Sequence, residues 1–152
     1  MAEITRTFDL LSNAEKHFPS EKALSVKRNG KWEHFSTAEF RKYVDNFSYG
    51  LLAMGFEKGE KIATVIKNSP EWNFVDFGIA QIGCVHVGIY PTISDAEFLH
   101  VLTHSDAKIL IVDDEELYSS LKPFFDKIDA LQEMYTIKTV AGAKNWNEIL
   151  DL

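Results

Sequence analysis

Apolar positions along the chain repeat with two different periods. Phe40, Tyr43, Val44, Phe47, Leu51 and Met54 recur at steps of three and four, the spacing of one face of a helix. "KIATVI" (61–66) and "AKILIV" (107–112) are short, almost unbroken apolar runs, which suit strands covered on both faces. "CVHVGIY" (84–90) reads as another such strand, with Cys84, Val85, Val87 and Ile89 assigned to the centre of a sheet. "MYTIKTV" (134–140) reads as a last strand.

Helices fill the intervals. The pattern predicts one over 8–18, with Thr5 or Thr7 as N-cap and Pro19 past its end. Ser36 opens the second, with Glu39 three residues on in capping-box spacing, and Gly55 closes it. Ser69, Pro70 and Glu71 mark a helix start that runs through Trp72, Val75 and Ile79 to Gly83. Ser94 with Glu97 repeats the capping box ahead of Phe98, Val101 and Leu102. Residues 115–121 form a helix that Pro123 should break or restart, and 146–150 a short one. Between the first two helices, "ALSVKRNGKWEHFS" carries Asn29-Gly30, a pair that tolerates positive φ and predicts a β-hairpin.

Strands that alternate with helices imply right-handed crossovers and a parallel sheet. The fold class is therefore α/β: a largely parallel, helix-covered sheet of the Rossmann-like, doubly wound type, with an N-terminal helix and a β-hairpin. Strand order is not legible at this stage.

The 152 residues suit a single domain, 1–152, and a chain of that size buries roughly 68–70% of its unfolded surface. The net charge of −7 argues against a general nucleic-acid binder, which needs clustered Lys and Arg. Cys84 is the single cysteine, so an intrachain disulfide is excluded and a reducing, cytoplasmic setting is expected. The first residues lack a basic run followed by an apolar one, and no apolar stretch reaches membrane-spanning length.

Most candidate chemistry reduces to structure. There is no G-x-G-x-x-G, and Gly83 and Gly88 lack the following Gly-Lys-Ser/Thr of a Walker loop. His100 and His104 have metal-ligand spacing without a clear third ligand and read as a surface pair. Cys84 and His86 alternate along a strand without an orienting third group, so Cys84 reads as a core residue. The acidic run 113–116 stands where helix N-termini favour negative charge, so capping is preferred to magnesium binding. One loop keeps a functional alternative. Residues 90–94 lie at the carboxyl end of a strand and lead into a helix N-terminus, where parallel sheets hold ligands.

"NSPEWNFVDFGIAQIGCVHVGIYPTISDAEFLHVLTHSDAKILIV" (68–112) closely resembles the early segment of long-chain fatty acyl-CoA synthetases, AMP-forming ligases of the adenylate-forming superfamily. "FSTAEFRKYVDNFSYGLLAMGFEKGEKIATVIKNSPEW" continues the resemblance, which covers about residues 5–150, and "IYPT" with "HSDAK" is its most specific part. The resemblance implies an N-terminal subdomain of a longer long-chain fatty acid–CoA ligase, inactive by itself. The family's Ser/Thr/Gly-rich loop ending in Pro-Lys-Gly, its magnesium-holding Glu and its catalytic Lys match nothing in residues 1–152. No catalytic or metal residue is therefore assigned, and no cofactor is expected in this stretch. ATP, magnesium and coenzyme A are implied for the whole enzyme, as are a long-chain fatty acid substrate and a role in lipid metabolism.

In related synthetases the loop matching Tyr90, Pro91, Thr92 and Ser94 approaches the nucleotide end of coenzyme A. Those four are the candidate site residues, although the position of a helping Arg is Val101 here. A cytoplasmic location is implied, with peripheral membrane association and a homodimer left open. The alternative is a free-standing α/β module that binds a small ligand or a protein partner without catalysis.

Overall fold

The computed structural model describes residues 4–152. In chain order the elements are α1 (Asp9–His17), β1 (Leu24–Arg28), β2 (Lys31–Phe35), α2 (Thr37–Ala53), β3 (Lys61–Val65), α3 (Pro70–Gln81), β4 (Val85–Gly88), α4 (Asp95–Ser105), β5 (Ile109–Val112), α5 (Glu115–Phe125), β6 (Glu133–Thr136), β7 (Lys144–Asn145) and α6 (Asn147–Leu150). β1 and β2 form the antiparallel hairpin, with Arg28 opposite Lys31 and both turn residues, Asn29 and Gly30, at positive φ. The other five strands form one parallel sheet in the order β4-β3-β5-β6-β7.

Alternation along the central strands divides the core. Ile62, Ile109 and Ile111 point to one face, where Val44, Phe47 and Leu51 of α2, Phe74 and Ile79 of α3, and Ile149 of α6 pack. Ala63, Val65, Leu110 and Val112 point to the other, against Phe98 and Leu102 of α4 and Leu117 and Leu121 of α5. α3 thus lies on one face and α4 and α5 on the other, so the sheet is doubly wound. Chain direction across the sheet reverses between β3 and β5, and such switch points open a crevice at the carboxyl ends of the strands.

Ser36 and Ser94 both close full capping boxes. At the end of α2, Gly55 (φ 85°) and Phe56 donate to the carbonyls of Leu52 and Leu51, a Schellman closure.

Several expectations change. β4 is an edge strand that pairs with β3 alone, and Val85 is exposed. Its apolar run still reaches both cores, Ile89 on one face and Cys84 on the other, while His86 turns to Asp76 and Thr64. Neither Thr5 nor Thr7 caps α1. Asp9 accepts the Thr5 and Arg6 N–H groups from inside the first turn. Ser69 stands at the N-cap of α3, but its hydroxyl makes no capping bond. Pro123 lies within α5 rather than ending it. The carbonyl that its missing N–H would have used belongs to solvent-exposed Ser119, so water can satisfy it. β7, only two residues long, carries no periodic signal and escapes the pattern reading.

Candidate functional site

At the carboxyl ends of β3 and β4 the chain leaves a cleft of about 540 Å³. Ile66, Lys67 and Asn68 form one wall and Gly88, Ile89, Tyr90, Pro91 and Thr92 the other, with Trp72 of α3 between them. The Tyr90 ring is 79% exposed, an unusual state for so large an aromatic side chain. Three of the four predicted site residues, Tyr90, Pro91 and Thr92, therefore line one cleft.

Ser94 does not join them. Its hydroxyl accepts the Glu97 N–H at 3.4 Å, and its own N–H and O–H donate to Glu97 Oε2 at 2.9 and 2.7 Å. The Ser94 hydroxyl and N–H hold the Glu97 carboxyl below its usual value. That carboxylate occupies the place at the start of α4 where a ligand's anion would otherwise be attracted. Val101 packs against the core and supplies no cation. The cation on this cleft is Lys67, whose ammonium donates to Asp114 at 2.8 Å. That bond raises its pKa against the opposing effect of partial burial.

Trp72 rests against His86, with ring centroids 5.4 Å apart. The His86 Nδ1 lies 2.7 Å from Asp76, and its Nε2 lies 2.7 Å from the hydroxyl of fully buried Thr64. This chain of polar contacts fixes the ring beneath the cleft. It was invisible in the sequence because the three residues belong to β3, α3 and β4 and share no local spacing. Cys84 uses a different partner, donating its thiol to the Glu57 carbonyl at 3.2 Å. Burial pushes that thiol's pKa up, so no Cys–His nucleophile is assembled.

The remaining candidates have structural roles. Asp114 Oδ1 caps α5 by accepting the Leu117 N–H, and buried Asp113 receives the Lys138 ammonium at 3.0 Å. His100 and His104 stack in parallel on the surface of α4, 5.8 Å apart. No group of three His, Cys, Asp or Glu side chains among the described residues is arranged to hold a metal ion.

Comparison with known proteins extends this picture. The AMP-binding enzyme family matches residues 11–149. The long-chain-fatty-acid–CoA ligase heimdall of Drosophila melanogaster is 28% identical over 104 residues, covering 68% of this chain and 15% of that protein. The long-chain-fatty-acid–CoA ligase ACSBG1 of Bos taurus is 32% identical over 94 residues, 62% of this chain and 13% of that protein. Among solved structures, a long-chain-fatty-acid-CoA ligase from Archaeoglobus fulgidus superposes on 97% of this chain and 30% of its own, with a TM-score of 0.78 at 20% identity. Acetoacetyl-CoA synthetase from Streptomyces lividans does so on 97% and 25%, with a TM-score of 0.83 at 16% identity. The chain thus spans under a quarter of the length of the curated relatives it matches.

Proposed function

This chain belongs to the AMP-binding enzyme family, and from that premise we propose that it is the N-terminal subdomain of a long-chain fatty acid–CoA ligase. The complete enzyme joins a fatty acid to coenzyme A, using ATP and magnesium and releasing AMP and pyrophosphate. The observation that carries the reading is the family match over 139 residues together with relatives that are long-chain-fatty-acid–CoA ligases several times longer. The alternative, a free-standing binding module, has no observation of its own in its favour. Cytoplasmic action on lipid substrates goes with the same reading. Among the described residues no helix is long and apolar enough to cross a membrane.

Within that enzyme, Tyr90, Pro91 and Thr92 would form part of the coenzyme A contact. Supporting this are the exposed Tyr90 ring and the Trp72 wall, which offer flat apolar surface to an adenine or to the pantetheine arm. The phosphates fit less well. Glu97 already holds the Ser94 N-terminus, Val101 carries no charge, and Lys67 is the nearest cation on the cleft. Ser94 is accordingly a residue that shapes the loop rather than one that touches the ligand. Coenzyme A supplies the thiol that takes the acyl group; this chain's residues would bind and orient its far end.

The test is the reading frame beyond Leu152 and the product it encodes. A Ser/Gly-rich loop ending in Pro-Lys-Gly, and palmitate-dependent acyl-CoA formation by the longer protein, are expected. Tyr90→Ala there should raise the KM for coenzyme A about tenfold and leave that for ATP unchanged, the loss of about 1.4 kcal/mol of binding. A longer product that forms no acyl-CoA from any fatty acid overturns the reading.

A further inference from the structure

One imidazole supports the Tyr90 cleft from beneath. The His86 ring touches two residues of the lining. Its centroid lies 5.4 Å from that of Trp72, and a Cβ on Gly88 would stand 3.8 Å from its Cε1 and Nε2. The side chain is only 10% exposed, and both ring nitrogens are bonded at 2.7 Å, Nδ1 to Asp76 of α3 and Nε2 to Thr64 of β3. β4 pairs with β3 alone in the sheet, so the Asp76 bond ties this edge strand to α3 as well.

Counting donors gives these contacts a direction. The Asp76 carboxylate only accepts, so Nδ1 carries a proton and donates to it. The Thr64 hydroxyl is fully buried and has no other partner among the described residues. It therefore donates to Nε2, and the imidazole is neutral. An imidazolium would donate from Nε2 too and leave the Thr64 O–H without an acceptor, which buried hydroxyls rarely tolerate. Thr64, His86 and Asp76 stand in the order of a nucleophile, its base and an orienting group. Thr64 is 0% exposed, however, so no substrate reaches its oxygen, and the relay serves position instead.

We propose that His86 is a positioning residue of the Tyr90 cleft. Held as the Nδ1–H imidazole, it acts through Trp72 and Gly88, fixing the indole wall and the Gly88 backbone in the arrangement that a bound coenzyme A meets. The inference rests on the reading that this cleft takes coenzyme A. The direction of the hydrogen bonds and the placing of Trp72 stand apart from that reading.

Nitrogen-15 NMR of the 152-residue chain tests the relay, and kinetics of the longer product test its use. At mildly alkaline pH the His86 ring should be the Nδ1–H tautomer. Asp76→Asn, whose side-chain carbonyl still accepts, should keep it. Thr64→Val removes the donor at nearly unchanged shape. It should mix the tautomers and shift the Trp72 indole and Gly88 amide resonances, while the Trp32 and Trp146 indoles stay in place. Asp76→Ala, at a half-buried site, should move Trp72 and Gly88 likewise. In the longer product Thr64→Val should raise the KM for coenzyme A about fivefold, the worth of one neutral hydrogen bond, and leave that for ATP unchanged. An Nε2–H tautomer in the unaltered chain, or Trp72 and Gly88 resonances that ignore both substitutions, would overturn the proposal. So would an unchanged KM for coenzyme A in a product that does form acyl-CoA, and the ligase reading would survive that result. A product that forms no acyl-CoA overturns the ligase reading instead, and the NMR of the chain then decides the positioning role. Should Thr64→Val not fold, the tautomer of the unaltered chain and the Asp76 variants decide.

Discussion

Gly50 of α2 and Ile149 of α6 meet backbone to backbone. A Cβ on Gly50 would stand 1.8 Å from the Ile149 carbonyl oxygen and 2.8 Å from its Cγ2. Neither backbone can give way, because both lie in helices docked on the same core beside Phe47 and Trp146. Gly50→Ala should therefore cost about 3 kcal/mol or more, the upper range for overpacking. Gly55 has open space around its Cα but needs φ 85°, so Gly55→Ala should cost only about 1 kcal/mol. Urea unfolding of both variants measures the difference; equal losses would show that α6 yields.

Strand position sets the second expectation. Ile111 is fully buried in β5, between β3 and β6, whereas Val87 is partly buried in edge strand β4. Ile111→Asp strands an unpaired charge in the core and should cost more than about 3 kcal/mol. Val87→Asp can reach water past the sheet edge and should cost less than half as much. Comparable losses at the two sites would place β4 inside the sheet after all.

These two strands also show what the sequence could reveal. "ILIV" and "VHVG" both read as strands because short apolar runs between helices have few alternatives. Whether a neighbour lies on one side or two depends on strand order, which local spacing does not encode. Helix starts at Ser36 and Ser94 were legible because a capping box is local. The Asp76–His86–Thr64 contacts were not, since they join elements brought together only by crossovers. Of the candidate site, the loop Tyr90–Thr92 was visible, but the diversion of Ser94 into its helix cap was visible only as a capping box. The contest between that cap and a ligand needed the structure to decide.

The cluster of Asp113, Asp114, Lys67 and Lys138 gives stability a pH dependence. Burial pushes the Asp114 carboxyl up, but the Lys67 ammonium, the Leu117 N–H and Lys138 outweigh it and hold it below its ordinary value. A depressed carboxyl contributes fully above its unfolded pKa of about 3.9 and loses that contribution as pH falls through the lower, folded value. Asp114 raises Lys67. Burial lowers Lys138, but Asp113 and Asp114 outweigh it. Their share is present below about pH 10.4 and is lost as pH climbs beyond it. Asp114→Asn keeps a capping side chain, so it isolates the charge. Stability at neutral pH should fall by no more than about 1 kcal/mol, because the partner lysines are well exposed. The wild-type loss of stability between about pH 4 and pH 2 should become shallower in the variant. Urea unfolding across that range, compared between the two proteins, measures it; parallel curves would leave the cluster without a role.

The last prediction concerns catalysis by these 152 residues alone. Activating a carboxylate with ATP requires its phosphates to be positioned and their charge stabilised by backbone amides, Lys or Arg, and magnesium. The sequence offers no glycine-rich phosphate loop. Asp113 and Asp114 are committed to Lys138 and Lys67, and the α4 N-terminus is held by Glu97. One helix N-terminus contributes about 0.3–1 kcal/mol toward an exposed anion. Micromolar ATP affinity requires roughly 8 kcal/mol. The isolated chain should therefore show no micromolar binding of magnesium-ATP by calorimetry. With palmitate and coenzyme A it should release no pyrophosphate above a protein-free control. Pyrophosphate release that survives repurification would mean that the chain holds a complete adenylation site, and it would overturn the subdomain reading.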